Sequence, residues 1–122
     1  ELPELLQWVE ERFWVTLYRA ALCARQDRRL EAADLCALLR NRMLLPLLSL
    51  HNRRHAGAPE HRAGAYAEQL QRTHPALDRE RLLDALEAAR QIYFALRYEL
   101  ATERFVRCEE AELLATALLE AP

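Results

Sequence analysis

The sequence predicts an all-α domain, an up-and-down four-helix bundle with an additional short C-terminal helix. Three observations carry that expectation. The 122 residues contain only two glycines, whereas a β protein needs turn residues every 8–12 positions or so. Leu, Ala, Arg and Glu dominate the composition, and 52% of the chain is hydrophobic. Apolar residues recur at steps of three and four along most of its length, the period of an amphipathic helix. A chain this long builds one core and not two, so residues 1–122 are expected to form a single domain.

The first helix is expected from Pro3 to about Arg25. Proline suits a first helical turn. Leu6, Val9, Phe13, Leu17, Ala20 and Ala24 form its core face, and Trp8, Val15 and Leu22 are expected to widen that stripe. Glu4, Glu10 and Glu11 lie early, where the helix dipole favours negative charge. The polar run 25-RQDRR-29 is the break, and Asp27 is the expected N-cap of a second helix from about Arg28 to Asn52. Ala32, Leu35, Leu39, Met43, Leu47 and Leu50 give its stripe, thickened by Leu38, Leu45 and Leu48. Pro46 removes one backbone donor and should kink it.

The segment 53-RRHAGAPEHRAG-64 holds both glycines and a proline and is expected to be a loop. A short helix is predicted at about Ala65–Thr73, stopped by His74-Pro75. Asp78 can cap the next helix, about Arg79 to Glu103. There Leu82, Leu86, Ala89, Tyr93, Leu96 and Leu100 step by fours and threes, a bundle seam. Phe105 is placed at its end. The tail from Glu109 to Leu119 reads as the added helix, with Leu113, Leu114, Ala117 and Leu118 apolar. Its outer side is a candidate homodimer surface.

Charge and motifs exclude several function classes. The net charge is −2 and the basic residues are dispersed, unlike the basic stripe of a nucleic-acid binder. Every basic side chain other than histidine is arginine, which reads as base-composition bias and leaves no lysine chemistry. Cys23, Cys36 and Cys108 are odd in number and widely spaced, as expected of buried, inert thiols in a reducing cytoplasm. No apolar run approaches the roughly 20 residues that span a bilayer, and no secretory signal is visible. The first residue is Glu1 rather than methionine, so a trimmed piece of a longer protein is expected.

Helices one and two carry a resemblance. The run 13-FWVTLYRAALCARQDRRLEAADLCALLRNRMLLPLL-48 resembles the C-terminal helical domain of bacterial nucleotidyltransferases of the aminoglycoside and lincosamide type. Phe13-Trp14 match its aromatic start, Glu31 and Asp34 its acidic pair, Leu39-Arg40 its "LR", and Pro46-Leu47-Leu48 its end. The run 86-LEAARQIYFALRYEL-100 looks like the last bundle helix of that family. Where the family has a Gly-rich link between a lysine and a glutamate, this chain has Cys23, Arg25-Gln26-Asp27 and Arg28.

The resemblance implies a substrate-binding and dimerisation domain that is not catalytic alone. It implies a small-molecule acceptor on this half, with ATP and Mg²⁺ held by an N-terminal nucleotidyltransferase domain that this sequence does not include. Glu31 and Asp34, three apart on one helix face, are then the carboxylates that hold the acceptor's amines or act as base on its hydroxyl. Tyr18, Arg19 and Arg97 are the candidates to complete the cleft. Against this stand plainer readings: acids of a first helical turn and surface arginines. Tyr93 and Tyr98 read as core or rim aromatics. His51, His55 and His61 could share a metal but read as solvated histidines. Arg54 and His61 fit the Arg-x6-His spacing that resembles HEPN ribonucleases, although in a Gly/Pro loop rather than on a helix. The alternative function is a stand-alone helical interaction module of antitoxin-like or HEPN-like type, without enzymatic activity.

Overall fold

In the computed structural model, residues 2–55 and 66–122 are described. All regular structure among them is helical. Helix α1 spans Leu2–Arg25, α2 Arg29–Leu38, a π-helical stretch Leu39–Leu44, α3 Leu45–His55, α4 Ala67–Gln71, α5 Arg79–Leu100 and α6 Glu109–Glu120. No helix among the described residues is long and apolar enough to cross a membrane.

The expected inner face of α1 is buried throughout, from Leu6 to Ala24. The widening of that face runs the other way from the expectation. Trp8 and Val15 are 41% and 53% exposed, while Trp14 is 1% exposed. The reason is α6, which covers the Trp14 side of α1 and leaves the Trp8–Val15 side open. Glu10 is also buried, at 0% exposure, so it is a core residue and not a dipole-stabilising surface acid.

Asp27 does not cap the second helix. It has φ 60°, the left-handed conformation that closes a helix C-terminus. The Asp27 N–H donates to the Ala24 carbonyl at 3.3 Å and the Arg28 N–H to the Cys23 carbonyl at 2.9 Å. That pair is the Schellman arrangement, with aspartate in the position that glycine usually holds. Arg28 therefore precedes α2, with no side-chain cap.

The effect of Pro46 appears one turn early. An ordinary α-turn would need a Pro46 N–H and would press its ring on the Arg42 carbonyl. The chain instead widens to a π-turn just before the proline, and the Leu45 N–H donates to the Arg40 carbonyl five residues back. Leu39, Met43, Leu44, Leu47 and Leu48 stay buried across this change. Leu38 and Leu45 are half-exposed at its outer side.

The described α4 starts at Ala67; Ala65 lies outside the described residues. The return from α4 to α5 is pinned by Thr73, which is fully buried. Its carbonyl accepts from Arg40 Nη1 at 2.7 Å and Cys36 Sγ at 3.2 Å. Asp78 caps α5 as expected, accepting from the Arg81 N–H at 2.9 Å. All six seam residues from Leu82 to Leu100 are buried. The helix ends at Leu100 rather than Glu103, because Ala101 is extended with ψ 138°.

Side-chain contacts give the directions. Arg79 donates to the Arg25 carbonyl at 2.7 Å and Arg29 to the Leu77 carbonyl at 3.3 Å. At the other end His51 meets Glu99 at 2.9 Å. Thus α2–α3 and α5 both run against α1. Helix α6 runs parallel to α1, since Glu112 lies by Glu10's partner Arg97 and Leu118 by Arg25.

The left-handed Asp27 gives a direct test. Asp27→Gly should hold or raise stability, and Asp27→Val should lower it by about 1–2 kcal/mol, the cost of a β-branched residue in that conformation. Urea unfolding followed by circular dichroism measures both.

Candidate functional site

Three features compete for this role: the predicted acidic end, a buried polar network, and an apolar face. The acidic end lies at the turn between α1 and α2. Glu31 is exposed and accepts from Arg28 Nε at 2.9 Å and Nη2 at 2.6 Å. The Arg28 hydrogen bonds hold its carboxyl below the usual range, and Arg19 adds a smaller effect of the same sign. Asp34 and Arg19 are exposed too. Arg19 acts on Glu31 through space and Asp34 lies one turn along the same helix, so the three belong to one end of the molecule.

Arg97 does not join them. It lies about 18 residues along α5 from Arg79, or about 27 Å at 1.5 Å per residue, toward the opposite end. It is 6% exposed and set among acids of its own. Tyr18 is 38% exposed and turns to a different place, a groove lined by Trp14, Val15, Ala111 and Leu114. The expected convergence of Glu31, Asp34 and an arginine from α5 is absent, because α5 presents Arg97 far from the α1–α2 turn. Arg40 serves the Thr73 carbonyl, and Arg42 lines an open groove with Glu4, Trp8 and Pro46.

The network around Arg97 was not legible as a site. Glu10 accepts from the Tyr93 hydroxyl at 2.6 Å, the Cys108 N–H at 2.9 Å and, at 3.4 Å, Arg97 Nη1. Arg97 forks onto Glu112, with bonds of 2.8 and 3.0 Å, and Arg107 adds one at 2.9 Å. A buried carboxylate needs such partners, since desolvation without them is prohibitive. The Arg97 guanidinium also faces the rings of Phe94, Trp14 and Tyr93 at 5.3, 5.5 and 5.8 Å, within cation–π range. Burial, then the hydrogen bond to Glu10, raises the Tyr93 phenol far above its ordinary pKa, so it remains a donor. Burial pushes the Glu112 carboxyl up, but the bonds from Arg97 and Arg107 outweigh it and the net shift is down.

The signal for Glu10 was present. Leu6, Glu10, Phe13 and Leu17 form one unbroken stripe at steps of four, three and four. Tyr93 and Arg97, four apart on α5, face it. This saturated cluster offers no open coordination and no nucleophile. Its role is to fix α6 on α1. The other end of α6 is fixed by Arg25, whose guanidinium donates to the carbonyls of Leu118, Leu119, Ala121 and Pro122. A cation placed on free carbonyls favours a helix C-terminus.

Fixing α6 creates the third feature. Ala115 and Leu119 are buried inward, while Leu113 and Leu114 are 71% and 59% exposed. Leu114 shares a groove with Val15 and Tyr18 of α1, and Trp8 lies two turns earlier on that helix. Burial raises the Cys36 thiol to about 11 and raises that of Cys108, leaving neither as a reactive thiolate.

The remaining candidates are placed as follows. Tyr93 is core and Tyr98 is 86% exposed. His51 is buried against Glu99, which also accepts from Tyr66, so it is not a solvated histidine. His61 lies outside the described residues, and with it both the three-histidine and the Arg54–His61 readings. Among the described residues no cluster of three or more His, Cys, Asp or Glu could hold a metal ion. No protein-family model, characterised protein or solved structure matches the chain.

Two outcomes follow from the network. Arg97→Met leaves Glu10 and Glu112 without their shared cation and should cost about 3–5 kcal/mol in urea unfolding, whereas Glu31→Gln at the exposed pair should stay within about 0.5 kcal/mol. The Glu112 carboxyl is held below its ordinary 4.5. Its contribution is therefore full above that value and lost as pH falls through the lower folded one. Thermal unfolding between pH 5 and about pH 2 should show a Tm decline that is shallower in Glu112→Gln than in the wild type.

Proposed function

We propose that this chain is a helical protein-interaction module whose binding surface is the apolar face of α1 and α6. One observation carries the reading. Large apolar side chains, Trp8, Val15, Leu113 and Leu114 among them, stand in water on two helices that a buried ion network holds parallel. Val15, Tyr18 and Leu114 share one apolar groove between the two helices; apolar surface of this kind marks a protein contact, and its rigid mounting lowers the entropy lost on docking. The overall form is read as an up-and-down four-helix bundle, with α4 as its short third member and α6 appended.

The test is photo-cross-linking in the native host, with a benzophenone amino acid at Val15, at Leu114 or at exposed Asp84 on α5. Adducts are expected from positions 15 and 114 and not from 84. Equal labelling at all three, or none at 15 and 114, would remove the reading.

A second reading keeps the nucleotidyltransferase resemblance. It is supported by Glu31, Asp34 and Arg19, which stand exposed at one end. In that reading these side chains receive a cationic acceptor, while ATP and Mg²⁺ belong to a separate domain. Titration with an aminoglycoside should then shift the amide resonances of Glu31 and Asp34 at micromolar concentration, and Asp34→Asn should abolish the shift. Unmoved resonances would leave that end a solvated helix start.

A further inference from the structure

The occupant of the α1–α6 face can be read from the pattern of side chains on it. On the open side of α1 the residues four and seven positions from Val15 pair by inversion, while those three positions away are Arg12 and Tyr18. Glu11 lies four residues before it and Arg19 four after, so one acid and one base stand about 6 Å below and above it along the axis. Trp8 and Leu22 lie seven residues to either side, about 10 Å away. Both ends of the strip are thus apolar, the next positions are of opposite charge, and the centre is a branched aliphatic. Such a strip complements its own reverse.

Helix α6 adds apolar side chains at the same height, but its charged residues are all acids, so the charge pairing belongs to α1 alone. Leu114 shares one groove with Val15 and Tyr18. A twofold axis that crosses α1 at Val15 therefore crosses α6 near Leu114. We propose that α1 and α6 pack on the same face of a second copy, antiparallel and centred on Val15, with Glu11 of each copy opposite Arg19 of the other. The proposal rests on the reading of this face as a binding surface and names its occupant.

Charge decides the orientation. In a symmetric contact, residue i meets j and j meets i. The antiparallel pairing forms two Glu11–Arg19 contacts. A parallel pairing of the same two helices sets Glu11 on Glu11 and Arg19 on Arg19, which is repulsive, so the strip also selects against the wrong register. Both groups are accessible. Arg19 is exposed, and Glu11, also exposed, makes long contacts of 3.7 Å to Arg12 and 3.4 Å to Gln7. Arg12 is occupied otherwise, stacked on the Trp8 ring at 4.5 Å and bonded to the Trp8 carbonyl at 3.0 Å. An unrelated partner would have no need of a strip that matches its own inversion.

Sedimentation of the full chain, with circular dichroism to confirm the fold of each variant, tests this. The wild type is expected to be a dimer at micromolar concentration. Glu11→Arg alone and Arg19→Glu alone each place like charges at both contacts, and each should weaken the dimer at least about tenfold. An equimolar mixture of the two single variants should form a heterodimer, and the double swap in one chain should restore the homodimer. Val15→Lys should give monomer with an unchanged helix signal. A monomeric wild type, or a dimer indifferent to both swaps, would overturn the proposal. If the wild type is monomeric while position 15 still cross-links to a protein of another mass, the face binds something else and the wider reading survives. If position 15 cross-links to nothing, both fall.

Discussion

A carboxylate with no exposed surface, Glu10, stands at the centre of this protein. Its three partners come from two other parts of the chain: Tyr93 and Arg97 on α5, and the Cys108 backbone at the entry to α6. An unpaired charge at that depth would shift its protonation or unfold the site. The fold therefore has to bring all three together at once. Arg97 then faces a second demand, since its fork also takes Glu112 from α6. Buried ion pairs are weak evidence for net stability, but they can select one arrangement over others. Here the arrangement selected is a short helix laid parallel to α1, where the apolar contacts of Ala115 and Leu119 alone would tolerate sliding.

The apolar surface follows from that polar constraint. With Glu112 tied to Glu10 through Arg97 and its last carbonyls tied to Arg25, α6 turns inward the residues that share the Glu112 face, Ala115 and Leu119, three and seven positions on. Leu113 and Leu114 face out by necessity. Leu114 stands beside Val15 and Tyr18, which α6 leaves uncovered by taking the Trp14 side of α1. One side of α1 is closed by a charged network and the adjacent side is left hydrophobic. The proposed binding face is in this sense a consequence of where Glu10 sits.

Much of the fold was legible in the sequence, and the gaps have physical causes. The α5 seam is legible residue by residue because six apolar positions share one uninterrupted period. Asp78 is legible as a cap because aspartate before a helix accepts from its first turn. Asp27 shares its residue type and its place before a helix, yet it ends the preceding one; only its backbone conformation separates the two roles. Pro46 announced a disturbance but not its form, a π-turn ahead of the ring. Glu10 escaped because apolar periodicity counts hydrophobic residues and skips a carboxylate standing in their row. Once Glu10 is skipped, nothing asks for Arg97 inside, and an arginine on α5 becomes available for any cleft. Trp8 and Trp14 have the same composition signal, and only the position of α6, set by that missed carboxylate, tells which is buried. Glu31 and Asp34 are exposed on α2, Glu31 in its first turn, while Arg97, expected beside them, lies far along α5.

The ion network, rather than apolar contact alone, makes α6 part of the bundle. Native-state hydrogen exchange of the α6 amides measures this most directly. In the wild type, the amides of Ala115–Leu119 should exchange through the same opening as the core of α5, with equal protection and equal denaturant dependence. In Arg107→Ala, which loosens Glu112 from one side without entering the core, α6 protection should fall ahead of α5 protection. If α6 already exchanges far faster than α5 in the wild type, the network does not hold it. The apolar face of α1 would then have no rigid edge, and Glu10 would not be the residue on which the position of α6 depends.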